Sequence, residues 1–175
     1  LNPQAVEFME REIVLASERF IGRETFPKQI GGVEVGAYLL VTFDGDDFDQ
    51  LHDLVEKAAE VVLEEGAIDV LVADSPAKKR DAWAARSSFL EAIEAETTWL
   101  DECDVVVPVT KIAEYLKYVK STEDRYCFKI KSFGHAGDGN LHPLMLFDRK
   151  NNDQIERVLD ASKELIRYCI DIGGA

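Results

Sequence analysis

Apolar side chains recur along this chain at two periods, and their alternation sketches a layered domain. Helical spacing links Val6, Met9, Ile13 and Val14, and predicts a helix over 3–20, with Pro3 in its first turn and Asn2 as its cap. The same spacing links Leu51, Leu54, Val55, Ala58, Val61 and Val62, and predicts a helix over 47–65 that Gly66 stops. Further helices are expected over 76–98, over 111–120 behind a Thr110 cap with Ile112, Tyr115 and Leu116 inward, and over 152–171. β-branched and aromatic runs predict strands over 33–43, 68–74 and 105–107, the last ended by Pro108. Residues 126–133 and 141–147 read as two strands of one hairpin.

This order, α-β-α-β-α-β-α-β-β-α, predicts an α+β domain: a ferredoxin-like sandwich in which an antiparallel sheet carries helices on one face. The other face would be exposed or covered by a second domain. With 175 residues and no repeat, low-complexity stretch or linker, residues 1–175 are expected to form a single domain.

Charge narrows the partners. Twenty Lys and Arg against 34 Asp and Glu give a net charge of −14, which argues against a nucleic-acid backbone and an anionic membrane surface. An anionic substrate would need a local cationic pocket. No apolar run reaches the roughly 20 residues of a membrane span, and no signal peptide is visible. Cys103, Cys127 and Cys169 are odd in number, widely spaced and without a CxxC, so buried free thiols in a reducing, cytoplasmic setting are expected rather than a disulfide framework or zinc ribbon.

The chemistry concentrates in Gly134-His135-Ala136-Gly137-Asp138-Gly139-Asn140-Leu141-His142. A loop over 137–140 would pair Ala136 with Leu141 and His135 with His142, placing both imidazoles on one sheet face. Two imidazoles that close can bind one metal ion, or hold an anion when protonated. The same string also makes a hairpin turn on backbone grounds alone, because glycine and asparagine tolerate positive φ. Arg86, one helical turn after Trp83, is either a partly buried carboxylate clamp or a solvated arginine on a long helix. His52 reads as a surface residue. No Ser-His-Asp or Cys-His order, GxGxxG or GxxxxGK[ST] is present.

Gly134–Pro143, with Lys131-Ser132-Phe133 before it, resembles a signature in the C-terminal half of FAD-linked 2-hydroxy-acid oxidoreductases, such as glycolate oxidase and the flavin D-lactate and D-2-hydroxyglutarate dehydrogenases. Trp83-Ala84-Ala85-Arg86 resembles the family's Trp-x-x-Arg, and Asp104-Val105-Val106-Val107-Pro108 its Asp-x-x-x-Pro strand. The resemblance implies a cap, or substrate, domain whose FAD is bound mainly by a separate domain that these residues lack. It also implies that His135 and His142 bind a divalent metal such as zinc and act in catalysis, and that Arg86 pairs with the substrate carboxylate. The implied partners are that FAD-binding domain, a small 2-hydroxy acid, and iron-sulfur or other electron-transfer subunits.

The family continues past a Gly-Gly/Ala segment into a Gly-Glu-His-Gly motif whose glutamate completes the metal site, and the resemblance implies that this motif is expected just after Ala175. Hydroxyglutarate enzymes carry an asparagine where Leu144 stands and a basic residue near Glu102. Both departures favour glycolate or D-lactate as substrate. The fragment alone is expected to be inactive, since the electron acceptor is missing. The alternative is a self-contained ferredoxin-like metal- or ligand-binding regulatory module.

Overall fold

A six-stranded antiparallel sheet organises the computed structural model, which describes residues 1–175. Its path runs β4 (Ala37–Thr42), β1 (Ala5–Glu10), β7 (Lys129–His135), β8 (Asn140–Phe147) and β5 (Trp99–Glu102), with β6 (Val105–Val106) also paired to β8. β5 covers the far end of β8 and β6 its start, so the two act as one strand interrupted at Cys103 and Asp104. A small hairpin, β2 (Gln29–Ile30) and β3 (Val33–Glu34), turns through Gly31 and Gly32, both at positive φ.

The expected α+β antiparallel sheet with packed helices is present, and the register shows how the helices are shared between its faces. Glu7, Met9, Phe133, His135, His142 and Leu144 fall on one face, because Glu7 pairs with His135, Met9 with Phe133 and Phe133 with His142. On that side α1 (Arg11–Ile21) and α4 (Phe89–Glu96) bury Ile13, Val14, Phe89 and Ile93 against Met9, Phe133 and Leu144. The opposite face presents Ile130, Leu141 and Met145 to α5 (Ile112–Tyr126) and α6 (Asn152–Asp171), through Tyr115, Val119, Val158 and Leu165. Helices therefore cover both faces rather than one.

Several elements shift from expectation. The helix expected over 3–20 begins only at Arg11; Ala5–Glu10 is a strand, flanked by β4 on one side and β7 on the other. Ladder hydrogen bonds on both edges outweigh a helical pattern that 11 further residues satisfy. The strand expected over 33–43 divides into β3 and β4. Residues 68–74 form no strand and join neither sheet. The long helix expected over 76–98 breaks at Ser88 into α3 (Pro76–Ser87) and α4, and the chain then enters β5, which the pattern did not signal. At the break, Ser17 Oγ and Ser88 Oγ both donate to the Ala85 carbonyl, which pins α1 to the bend. α5 continues past 120 to Tyr126, so β7 starts at Lys129 rather than 126. α6 matches its expected bounds, and α2 (Phe48–Glu64) nearly does.

All three cysteines are free. Cys103 and Cys169 are buried as expected, and burial pushes the Cys103 thiol up to about 11. Cys127 is instead exposed, in the left-handed position that caps α5. No helix is long and apolar enough to cross a membrane.

Candidate active site

The histidine hairpin forms with a register different from the one its glycines suggest. His135 pairs with Asn140 and Phe133 with His142, so the loop is 136–139. Relative to His135, the partner strand has slipped by two residues. A two-residue slip preserves side-chain facing, so both histidines still share one face, as diagonal rather than opposed neighbours. Their ring centroids lie 5.8 Å apart, edge to face. The turn is held by Asp138 N–H and Gly139 N–H donating to the His135 carbonyl, and by Asn140 N–H donating to Asp138 Oδ1. Gly139 is obligatory here: its φ is +85°, and a Cβ would lie 2.0 Å from the Val107 carbonyl oxygen. Gly134 is equally constrained, since a Cβ there would lie 2.3 Å from the Asn140 carbonyl oxygen.

Arg86 reaches this face from α3. It is not solvated: its side chain is 11% exposed. Trp83, expected to flank it, is exposed. The guanidinium lies instead over Phe133, 4.8 Å from the ring centroid, and near Phe89 at 5.4 Å. Phe133 in turn stacks on the His142 ring, with centroids 5.0 Å apart.

Glu7 joins these parts, and it was not among the residues singled out from sequence. It sits on β1 directly opposite His135 and is 6% exposed. Its Oε2 accepts from Arg86 Nε at 2.9 Å and lies 2.7 Å from Nη2, while its Oε1 lies 2.9 Å from His135 Nδ1. The pattern that hid it was the helical reading of 3–20. As a strand, Ala5-Val6-Glu7-Phe8-Met9 alternates, and a carboxylate on the same face as Met9 is the anomaly that marks a site.

His142 has a carboxylate neighbour too. Glu102 Oε1 stands 2.8 Å from its Nδ1, and Asp104 Oδ1 3.7 Å. Glu102 is off the line along which a ring N–H points, so the buried Nδ1 is close to charge without an aligned acceptor. Neither Nε2 makes a hydrogen bond within the chain. His142 is largely buried and His135 is 48% exposed, so the site opens to solvent on the His135 side.

The donor set fits a divalent cation. The Glu7 carboxylate at His135 Nδ1 leaves His135 Nε2 as a lone-pair donor, an arrangement that surrounds metal-ligating histidines, and His142 Nε2 is free of hydrogen bonds within the chain. With metal–nitrogen bonds of about 2.0–2.1 Å, two rings on one ion have centroids roughly 5–6 Å apart, which the observed spacing meets. Elsewhere, His52, Asp53 and Glu56 gather on exposed α2, consistent with the surface reading of His52.

Comparisons with known proteins give the family of the chain. Residues 1–175 match the family described as FAD linked oxidases, C-terminal domain. The chain is 64% identical over 142 residues to D-lactate dehydrogenase of Anaerostipes hadrus, covering 81% of this chain and 30% of that protein. It is 33% identical over 176 residues to glycolate oxidase subunit GlcD of Bacillus subtilis (strain 168), covering 98% of this chain and 35% of that one. It thus spans about a third of the length of these relatives. Among solved structures, 4-ethylphenol oxidase from Gulosibacter chungangensis, determined with isoeugenol, shares the fold with a TM-score of 0.60 at 14% identity, over 98% of this chain and 38% of that chain. With a family match along its whole length, this chain belongs to the C-terminal domain family of the FAD-linked oxidases.

Proposed function

We propose that this chain is the substrate-side domain of a flavin-dependent oxidoreductase that converts a small 2-hydroxy acid, D-lactate or glycolate, to the 2-oxo acid. The carrying observation is the convergence of Arg86, His135 and His142 on one sheet face, linked through Glu7. A 2-hydroxy acid presents a carboxylate and a hydroxyl on adjacent carbons, so the groups that bind them must lie close together. Glu7 occupies the Nε–Nη2 edge of Arg86, which leaves the Nη1 side free to donate to a substrate carboxylate. His135 and His142 then face the hydroxyl, to bind it through a metal on their Nε2 atoms or, in the alternative without a metal, to accept its proton at a neutral Nε2.

Charge supports a metal at the histidines. Arg86 contributes +1, and Glu7, Glu102 and Asp104 contribute −3, so with neutral imidazoles the pocket carries −2. An anionic substrate needs that deficit offset, and a divalent cation on the two Nε2 atoms does so. When bound, the cation would supply Lewis acidity toward the hydroxyl and FAD, held outside these 175 residues, would supply the electron acceptor. Glu102 and Asp104 also disfavour a second carboxylate on the substrate, in keeping with a monocarboxylic acid. The partners follow from this reading: the FAD-binding domain and, downstream, an electron-transfer protein. Similarity to catalytic flavoproteins favours it over a regulatory module.

The test is substrate oxidation by the full-length flavoprotein, stripped with a chelator and then resupplied with zinc. D-lactate or glycolate should be oxidised, activity should fall on chelation and return with zinc, and His142→Ala should abolish the return. Indifference to the chelator would remove the metal, and failure to oxidise any 2-hydroxy acid would remove the reading.

A further inference from the structure

We infer that Glu7 is the positioning residue of this site, setting Arg86 and His135 together so that carboxylate binding and hydroxyl binding act as one unit. The inference rests on the reading above and adds a residue to it. Glu7 is at the sheet centre, with β4 and β7 bonded to its two backbone edges, so its Cβ direction is fixed. Each carboxylate oxygen has a different task. Oε2 accepts from Arg86, which sets the guanidinium plane over Phe133. Oε1 draws the His135 proton to Nδ1, which leaves Nε2 as the lone-pair nitrogen.

A purely structural role would be simpler: a buried arginine needs a buried anion. Geometry argues for more. Arg86 alone would be satisfied by one oxygen, or by both in a parallel fork. Instead Glu7 gives Arg86 a single oxygen and turns the other to a histidine that is half exposed and needs no buried partner. The same carboxylate is thereby shared between the group aimed at the substrate carboxylate and the group aimed at its hydroxyl or at the metal.

The test uses the full-length flavoprotein with Glu7→Gln and Glu7→Asp, and reads zinc affinity by titration of the stripped protein alongside KM and kcat. Glu7→Gln keeps the side-chain volume but turns an amide NH2 toward one of the two partners. Outer carboxylates of metal-bound histidines typically govern about 10–100-fold in metal affinity, and a loss in that range is expected. KM for D-lactate should rise as well, because Arg86 loses its orientation. Glu7→Asp should restore one of the two losses but not both, since the shorter side chain cannot span both partners. Wild-type zinc affinity and KM in the folded Glu7→Gln protein, with only a lower Tm, would overturn the inference and leave Glu7 as a structural counter-ion. If the wild type itself binds no zinc, the metal reading fails separately, and Glu7 is then judged on KM: an unchanged KM overturns it.

Discussion

The centre of the sheet and the arm formed by residues 44–75 obey opposite logics. At the centre, β1, β7 and β8 bury charge: Glu7 and Arg86 are nearly inaccessible, and every oxygen of Glu7 is engaged. In the arm, α2 has the more regular apolar stripe, yet none of its residues is buried, and Phe48, Val61, Leu63, Ile68, Leu71 and Val72 are exposed. A strong helical period specifies that a helix forms and which face is apolar. It does not specify what that face meets. The site arises where strands interlock, and there the informative residues are those that break the apolar pattern.

The largest effects should follow from disturbing the centre. Gly139→Ala forces a Cβ into the Val107 carbonyl at a φ that alanine rarely adopts. A loss of about 3 kcal/mol or more is expected, read as a fall in Tm or failure to fold. A wild-type Tm would show that the turn is not packed against the Val107 carbonyl as described. Arg86→Ala comes next. It leaves Glu7 buried without its cation, and breaking such a pair costs about 3–5 kcal/mol. A denaturant midpoint unchanged from wild type would mean that the pair is solvated.

A milder and pH-dependent effect belongs to Glu123, on α5. Burial raises its carboxyl, but the Ile130 amide together with Lys120 and Lys129 outweighs burial, and the net pKa is lowered. A folded pKa below the unfolded one means stability that is present above the ordinary carboxylate value and lost as pH falls through the folded value. Glu123→Gln should therefore lower stability near neutral pH and flatten its decline in acid. An unaltered acid profile would contradict this. The smallest effect should come from the arm: Leu54→Ser is expected to cost less than about 1 kcal/mol, because the stripe it interrupts is only half buried. A loss as large as that of Arg86→Ala would mean that α2 is a core helix and would erase the contrast.

This contrast also explains what could be read from sequence. α2 and α6 were legible because helical period survives without knowledge of neighbours. The face shared by His135 and His142 was legible too, since a two-residue register slip leaves facing intact, although the loop itself moved to 136–139. β1 was not, because its identity depends on β4, some 30 residues later, and on β7, more than 120 residues later, both of which bond to it. With β1 unseen, Glu7 could not be placed beside Arg86. β5 was missed because Trp99–Glu102 is short and half polar, and owes its extended form to pairing with β8.

Whether the centre binds substrate is tested most directly by steady-state kinetics of Arg86→Lys in the full-length flavoprotein. Lysine keeps the charge beside Glu7, so folding should survive, but an ammonium cannot reproduce the guanidinium fork. A charge-assisted hydrogen bond contributes about 1.5–3 kcal/mol, so kcat/KM for D-lactate or glycolate should fall on the order of tenfold to a hundredfold while Tm stays within a few degrees of wild type. A kcat/KM equal to that of wild type would contradict the account, leaving Arg86 as a structural partner of Glu7 and no more.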